Sequence, residues 1–247
     1  MGKMEAPMEG PPCGSIMKHK MALDTLDSLK FKHDGGIMTG AFEDTWYWHF
    51  ESLLKSEQIM RIVEICSKGK EEDAAISCDK NYNSSFRKNK VSWQDDEELY
   101  SMIRGPMDVA NSMSGWNYNI TAIEPIQYTT YYCDNNHYGW HIDTVAGEHL
   151  KDKGCDNIQN GTVRKISCSI QLDSPSSYEG GELEFMTDGK SFADGSEPFS
   201  TSSLSLPQFK ERGSAIFFPS FTYHRIKPVT KGTRRSLVVW FRGPKWQ

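Results

Sequence analysis

The sequence predicts a mainly β domain with flanking helices, an α+β arrangement in which two helices come first and a run of strands follows. Three observations carry this. From Trp116 onward, short β-type runs at Trp116–Ile120, Ile126–Tyr132, Val163–Leu172, Glu182–Phe185, Ala215–Phe218 and Arg235–Phe241 are separated by polar turns, the pattern of a barrel or sandwich. Before them lie two segments with apolar residues at helical spacing, one around Ile59 to Cys66 and one around Leu99 to Val109. With 247 residues, 37% of them apolar, the chain suits one domain of generous size with a substantial core.

Residues 1 to 40 are rich in Met, Lys, Gly and Pro and show helical periodicity only over Met21–Leu29. This part is expected to be a flexible or loosely packed N-terminal extension, with 41–247 as a single domain. Trp46-Tyr-Trp-His-Phe50 reads as a first buried strand, since aromatics fit a pleated surface; His49 within it is taken as structural. Ser56 is placed to cap a helix whose Ile59, Ile62, Val63 and Cys66 share a face. Lys68 to Lys90 is charged and reads as a mobile connection with at most one short strand. A second helix is expected over Asp95–Asn111, its stripe made by Leu99, Met102, Ile103 and Val109 and its acidic start suited to a helix N-terminus. The strands then form a β core from about 116 to 243, interrupted by two long connections, 145–162 and 187–211, of the length that lids or mobile tips have.

Composition excludes several roles. A net charge of -5 gives no electrostatic grip on nucleic acid or an anionic membrane. No segment has the roughly 18 apolar residues of a spanning helix, and the N-terminus lacks the apolar run of a secretory signal. Six irregularly spaced cysteines include no Cys-x-x-Cys pair, so they are read as reduced thiols in a cytoplasmic protein. Oligomeric state leaves no mark in the sequence.

Chemistry concentrates in Tyr138-Gly-Trp-His-Ile-Asp143. In an extended strand, His141 and Asp143, one residue apart, point to the same face, within reach of one ion. Such a triplet alone is more often a surface turn or a core histidine. A second histidine, His224, ends the apolar run Phe217-Phe-Pro-Ser-Phe-Thr-Tyr-His224, and two histidines with one carboxylate make the facial triad of non-haem Fe(II) oxygenases. After His224 come Lys231-Gly232, read as a turn, and Arg234-Arg235 opening a β-rich strand. A guanidinium there can grip a carboxylate with two parallel hydrogen bonds, and a metal beside such a clamp points to a dicarboxylate co-substrate.

Six segments in this order, Ile126–Tyr132, Tyr138–Asp143, Arg164–Leu172, Tyr178–Phe185, Gly213–Ser220 and His224–Trp240, resemble the 2-oxoglutarate- and Fe(II)-dependent dioxygenases, in their prolyl 4-hydroxylase-like branch. The resemblance covers about the last half of the chain. It implies a double-stranded β-helix (jelly-roll) core braced by the N-terminal helices, with Fe(II) held by His141, Asp143 and His224. It also implies 2-oxoglutarate as co-substrate beside O2, with ascorbate as an accompanying reductant. Arg234, sharing the inner face of its strand with Trp240, takes the far carboxylate, and Arg235 takes its place if a bulge near Gly232 exchanges the faces. Tyr131, or alternatively Tyr132, contacts the co-substrate, and Gln171 occupies a position that hydrogen-bonds the same carboxylate. Arg164 and Trp240 line the substrate groove. The implied reaction hydroxylates an unactivated C–H bond, with succinate and CO2 released. The substrate is a prolyl residue of a peptide or protein, or alternatively a free amino acid or other small molecule; a jelly-roll binding module without turnover is the remaining reading. Nucleic acid is disfavoured, because Trp240 and Phe241 stand where nucleic-acid demethylases of the superfamily carry a second arginine.

Overall fold

The computed structural model describes residues 46–74, 85–144, 161–186 and 203–245. The expected N-terminal extension and most of both long connections lie outside these residues. In chain order the elements are β1 (Trp48–Phe50), α1 (Ser56–Cys66), β2 (Glu72–Asp73), β3 (Arg87–Lys88), β4 (Lys90–Gln94), α2 (Glu97–Met113), β5 (Ala122–Ile123), β6 (Ile126–Tyr132) and β7 (Asn136–His141). They continue with β8 (Thr162–Gln171), β9 (Tyr178–Gly180), β10 (Leu183–Met186), β11 (Ser203–Leu204), β12 (Ala215–Pro219) and β13 (His224–Pro244).

Local chemistry explains where the helices start. At α1 the boundary residue is Lys55, whose backbone N–H donates to Gln58 Oε1 at 2.9 Å; Ser56, expected as the cap, is instead the first helical residue. Asp96 caps α2, its Oδ1 accepting from the N–H groups of Glu98 and Leu99 at 2.9 and 3.1 Å, so this helix begins two residues later than its acidic run suggests. Both helices turn apolar faces to the sheet: Ile59, Ile62 and Cys66 from α1, and Leu99, Ile103, Met107 and Ala110 from α2, are buried against it. Each isoleucine, leucine or methionine among them contributes roughly 1.5–3 kcal/mol by leaving water.

Every strand pair is antiparallel, and β13 organises them. Its first part, His224 to Gly232, pairs with β7, β9 and β10. Its second part, Thr233 to Pro244, pairs with β6 on one side and β8 on the other, and β8 continues to β12 and β1. One strand therefore belongs to two sheets, the arrangement of a double-stranded β-helix. The expected Lys-Gly turn is a kink inside this strand. Gly232 has φ +71, and a Cβ there would clash with the Ser177 carbonyl oxygen, so only glycine lets the chain pass. The register against β6 runs unbroken from Thr233 to Val238, and the inner and outer faces keep the alternation read from the sequence.

That alternation divides the core in two. Ile166, Cys168 and Ile170 of β8, Phe217 of β12, and Leu237, Val239 and Phe241 of β13 pack outward against the helices. Tyr131, Leu183, Phe185, Phe218, Ile226 and Val229 pack between the sheets. His49 is buried on β1 with its ring 5.4 Å from that of Phe209, away from the cavity described below. The segment expected as a strand at Trp116–Ile120 is not one. Asn117 sits at φ +49, Trp116 and Tyr118 stack within 11° of parallel, and the Asn111 side chain bonds both backbone groups of Tyr118. A side-chain amide thus replaces the ladder, and alternation of aromatics alone misled.

Gly232→Ala is expected to lose at least about 1–2 kcal/mol, the cost of a left-handed non-glycine residue, with the clash against Ser177 added. Urea unfolding reads this directly; an unchanged midpoint would contradict the role given to the kink.

Candidate active site

The two sheets enclose a cavity of about 480 Å³. His141 at the end of β7 and His224 at the start of β13 are cross-strand partners, and Asp143 follows two residues after His141. Ligand atoms of the three lie within 4.8 Å of one another. Asp143 Oδ1 is 3.6 Å from His141 Nε2 and Oδ2 is 3.5 Å from His224 Nε2. Among the described residues this is the one His/Cys/Asp/Glu cluster able to hold a metal.

The imidazoles are set in the tautomer a metal needs. His141 Nδ1 lies 2.8 Å from the Gly139 carbonyl oxygen and His224 Nδ1 lies 2.9 Å from that of Thr222. A carbonyl only accepts, so each Nδ1 carries the proton and each Nε2 keeps its lone pair for the ion. Burial, together with the adjacent His224, pushes His141 down to about 3. Burial pushes Asp143 up, but His224, His141, Arg164 and the Ser167 hydroxyl outweigh it and hold the carboxyl at about 2. At neutral pH the pair is a neutral imidazole and an ionised carboxylate, the forms that bind a divalent cation.

Surrounding groups fix these side chains. Ser167 Oγ donates to Asp143 Oδ2 at 2.7 Å and lies 2.9 Å from Ser220 Oγ, while the Ser220 carbonyl accepts the N–H groups of Asp143 and Thr144. The Tyr138 ring stacks on His141 with centroids 3.6 Å apart, and Phe218 meets His224 edge-on at 4.7 Å.

The remaining expected residues sort clearly. Arg234, 1% exposed, lines the cavity beside Tyr131, its guanidinium 5.3 Å from that ring and its Nη1 donating to Ser236 Oγ at 3.3 Å. Its buried Nε has no hydrogen-bond partner, and no carboxylate among the described residues pairs with it. Arg235 turns outward onto Asp173, and Tyr132 turns outward to Glu71 at 3.1 Å. The choice within both pairs follows from strand parity. Gln171 is buried opposite Ser236, its Oε1 without a partner and its Nε2 donating at 3.4 Å to Ser169 Oγ; Ser169 lines the cavity, and Gln171 is not among the lining residues. Arg164 lines the mouth, bidentate to Glu124 and 3.7 Å over the Trp240 ring. Glu124 also binds Arg242.

Sequence reasoning passed over Arg87, Glu124 and Ser220. Arg87 lies in a stretch read as a connection, and only the pairing of β3 with β7 brings it opposite Tyr138. Ser167, Ser169 and Gln171 alternate with apolar residues along their strand, a pattern that marks a polar face but not the partner of Ser167.

The residue set fits Fe(II) and a dicarboxylate. Two lone pairs and a carboxylate converge at one point, and an orphaned buried guanidinium atom stands in the same cavity. Comparisons with known proteins agree. Residues 126–242 match the 2OG-Fe(II) oxygenase superfamily. A PKHD-type hydroxylase from Colwellia psychrerythraea is 28% identical over 196 residues, 76% of this chain and 73% of that protein. Among solved structures, a Pseudomonas putida prolyl-4-hydroxylase superposes with a TM-score of 0.55 at 16% identity, covering 81% of this chain and 94% of that one. A Trichoplax adhaerens prolyl hydroxylase, in complex with a hypoxia inducible factor oxygen degradation domain peptide fragment, gives 0.57 at 15% identity, covering 92% and 90%.

Ser167→Ala removes a hydrogen bond from Asp143 and leaves the three ligands in place. Mn(II) affinity, measured by titration under argon, is expected to fall about 10- to 100-fold; wild-type affinity would show that Asp143 needs no such support.

Proposed function

We propose that the chain is a 2-oxoglutarate/Fe(II)-dependent oxygenase that hydroxylates a prolyl residue of a peptide or protein, with release of succinate and CO2. The observation that carries this reading is one cavity holding both the His141–Asp143–His224 cluster and the buried Arg234 guanidinium.

In this reading His141 and His224 donate their Nε2 lone pairs to Fe(II) and Asp143 supplies the anionic ligand. Bound Fe(II) with 2-oxoglutarate and O2 supplies the oxidising chemistry. Arg234 grips the far carboxylate of 2-oxoglutarate; held from behind by Tyr131 and Ser236, it needs little reorganisation when that anion arrives. Gln171, whose amide donates to Ser169, supports this end of the cavity. Phe185, Phe218 and Ile226 keep water from the pocket, which strengthens each charge pair inside it. Arg164 and Trp240, stacked at the mouth, hold the substrate ring over the site. The name of the Colwellia relative supports hydroxylation, and the peptide seen with the Trichoplax protein supports a peptide or protein substrate. Among the described residues no helix is long and apolar enough to cross a membrane, and the free thiols of Cys66, Cys133 and Cys168 suit a reducing, cytosolic setting.

Two tests follow from these assignments. Proline-containing peptides incubated with protein, Fe(II), 2-oxoglutarate and O2 should gain one oxygen by mass spectrometry, with one succinate per product; succinate without any oxidised product from peptides, proteins or free amino acids would reject the hydroxylase reading. Arg234→Met is expected to raise KM for 2-oxoglutarate at least about 10-fold, the loss of a charge-assisted pair. Arg235→Met should leave that KM within about two-fold, and the reverse ranking would move the clamp to Arg235.

A further inference from the structure

Tyr178 of β9 is a buried phenol that the reaction proposed above does not use. It is 3% exposed and lies opposite Gly232, at the kink of β13 and two residues before Arg234. Gly181, at φ +66, leaves the room that both side chains border: a Cβ there would come within 2.8 Å of Arg234 Cδ and 3.5 Å of Tyr178 Cε2. The ring is also held from its face. Lys210 Nζ stands 4.6 Å from its centroid, fixed by donation to the Gly180 carbonyl at 2.8 Å and to Glu182 Oε1 at 3.3 Å.

Two polar atoms of this packing are left over. Tyr178 Oη and Arg234 Nε are both buried, and neither has a hydrogen-bond partner. They are complementary, since a guanidinium N–H only donates and a phenol oxygen accepts. They also belong to neighbouring groups: burial pushes the Tyr178 phenol up, and the Arg234 charge is the strongest influence opposing it. A buried hydroxyl without a partner costs stability that a phenylalanine in the same place would not, so packing alone gives no reason for tyrosine here. The Arg234 Nη1 bond to Ser236 Oγ, at 3.3 Å, is long for an N–H···O contact, which leaves the guanidinium room for a small turn.

We propose that Tyr178 is a positioning residue for 2-oxoglutarate: its hydroxyl accepts the Arg234 Nε–H when the far carboxylate engages the guanidinium, and this bond fixes the remaining N–H groups on that carboxylate. The proposal rests on the assignment of the co-substrate to Arg234 and deepens it by adding the residue that orients the clamp. Of the two tyrosines beside Arg234, Tyr131 lines the cavity, whereas Tyr178 is not among the lining residues and acts through the arginine.

The test is binding without turnover. Full-length protein loaded with Mn(II) under argon is titrated with 2-oxoglutarate by calorimetry, and urea unfolding of the same protein without 2-oxoglutarate is followed in parallel. Tyr178→Phe, which keeps the ring, is expected to weaken 2-oxoglutarate binding about 10-fold, the loss of one hydrogen bond to a charged group, with an unfolding midpoint equal to or above that of the wild type. In an Arg234→Met background the same substitution should change affinity by less than about two-fold, because the hydroxyl acts only through the guanidinium. Wild-type affinity in Tyr178→Phe, an equal loss in the Arg234→Met background, or a lowered unfolding midpoint would overturn the proposal. Failure of the underlying reading looks different: a wild-type protein that does not bind 2-oxoglutarate, or an Arg234→Met variant that binds it as tightly as wild type, removes the co-substrate from Arg234 and this inference with it.

Discussion

The constraint on which the site depends is the passage of a single strand through both sheets. β13 must pair with β7 at His224 and with β6 at Arg234, and it changes sheets at Gly232. A straight strand would carry His224 and Arg234 about 30 Å apart or more at 3.2–3.4 Å per residue and could not enclose a cavity. The kink brings His224 and Arg234, ten positions apart in sequence, onto the walls of one chamber. It also protects parity: every second residue beyond the kink faces inward, so Arg234, Ser236, Val238 and Trp240 line the chamber. Their alternates Leu237, Val239 and Phe241 lock the strand to the helices.

Within that chamber, polar groups are handled in two ways. Those meant to stay put are satisfied by protein: the Asp143 carboxylate by the Ser167 hydroxyl, the Asp143 N–H by the Ser220 carbonyl, both imidazole Nδ1 atoms by carbonyls, and Arg164 by Glu124. Arg234 is buried with an orphaned Nε. Burying a charge is costly unless an opposite charge completes it, and a ligand carboxylate is the partner that would do so. The protein thus gives up stability at this point in exchange for a receptor already in shape, as functional sites commonly do.

Much of this was legible in the chain. His141 and Asp143 are local in sequence, so strand geometry alone pairs them, and the Arg234-to-Trp240 alternation fixes a face without knowledge of the fold. Ile126–Tyr132 was bounded correctly because its pattern and turns agree. Trp116–Ile120 failed because a left-handed Asn117 and the Asn111 side chain, tertiary choices, override aromatic alternation. The break between two sheets at Gly232 looked like a turn, since a glycine after lysine signals both. Arg87, Glu124 and Ser220 escaped because their roles arise from partners 40 or more positions away, such as Gln127, Arg164 and Ser167. No local signal distinguishes a cavity arginine from a solvated one.

The central claim, that one cavity chelates Fe(II) through His141, Asp143 and His224 and places 2-oxoglutarate beside it, is tested most directly by anaerobic visible absorption. Protein with Fe(II) should develop a weak metal-to-ligand charge-transfer band when 2-oxoglutarate is added, and Asp143→Ala should abolish it. Folded protein that binds Fe(II) yet shows no band with 2-oxoglutarate, or a band that persists in Asp143→Ala, would contradict the account.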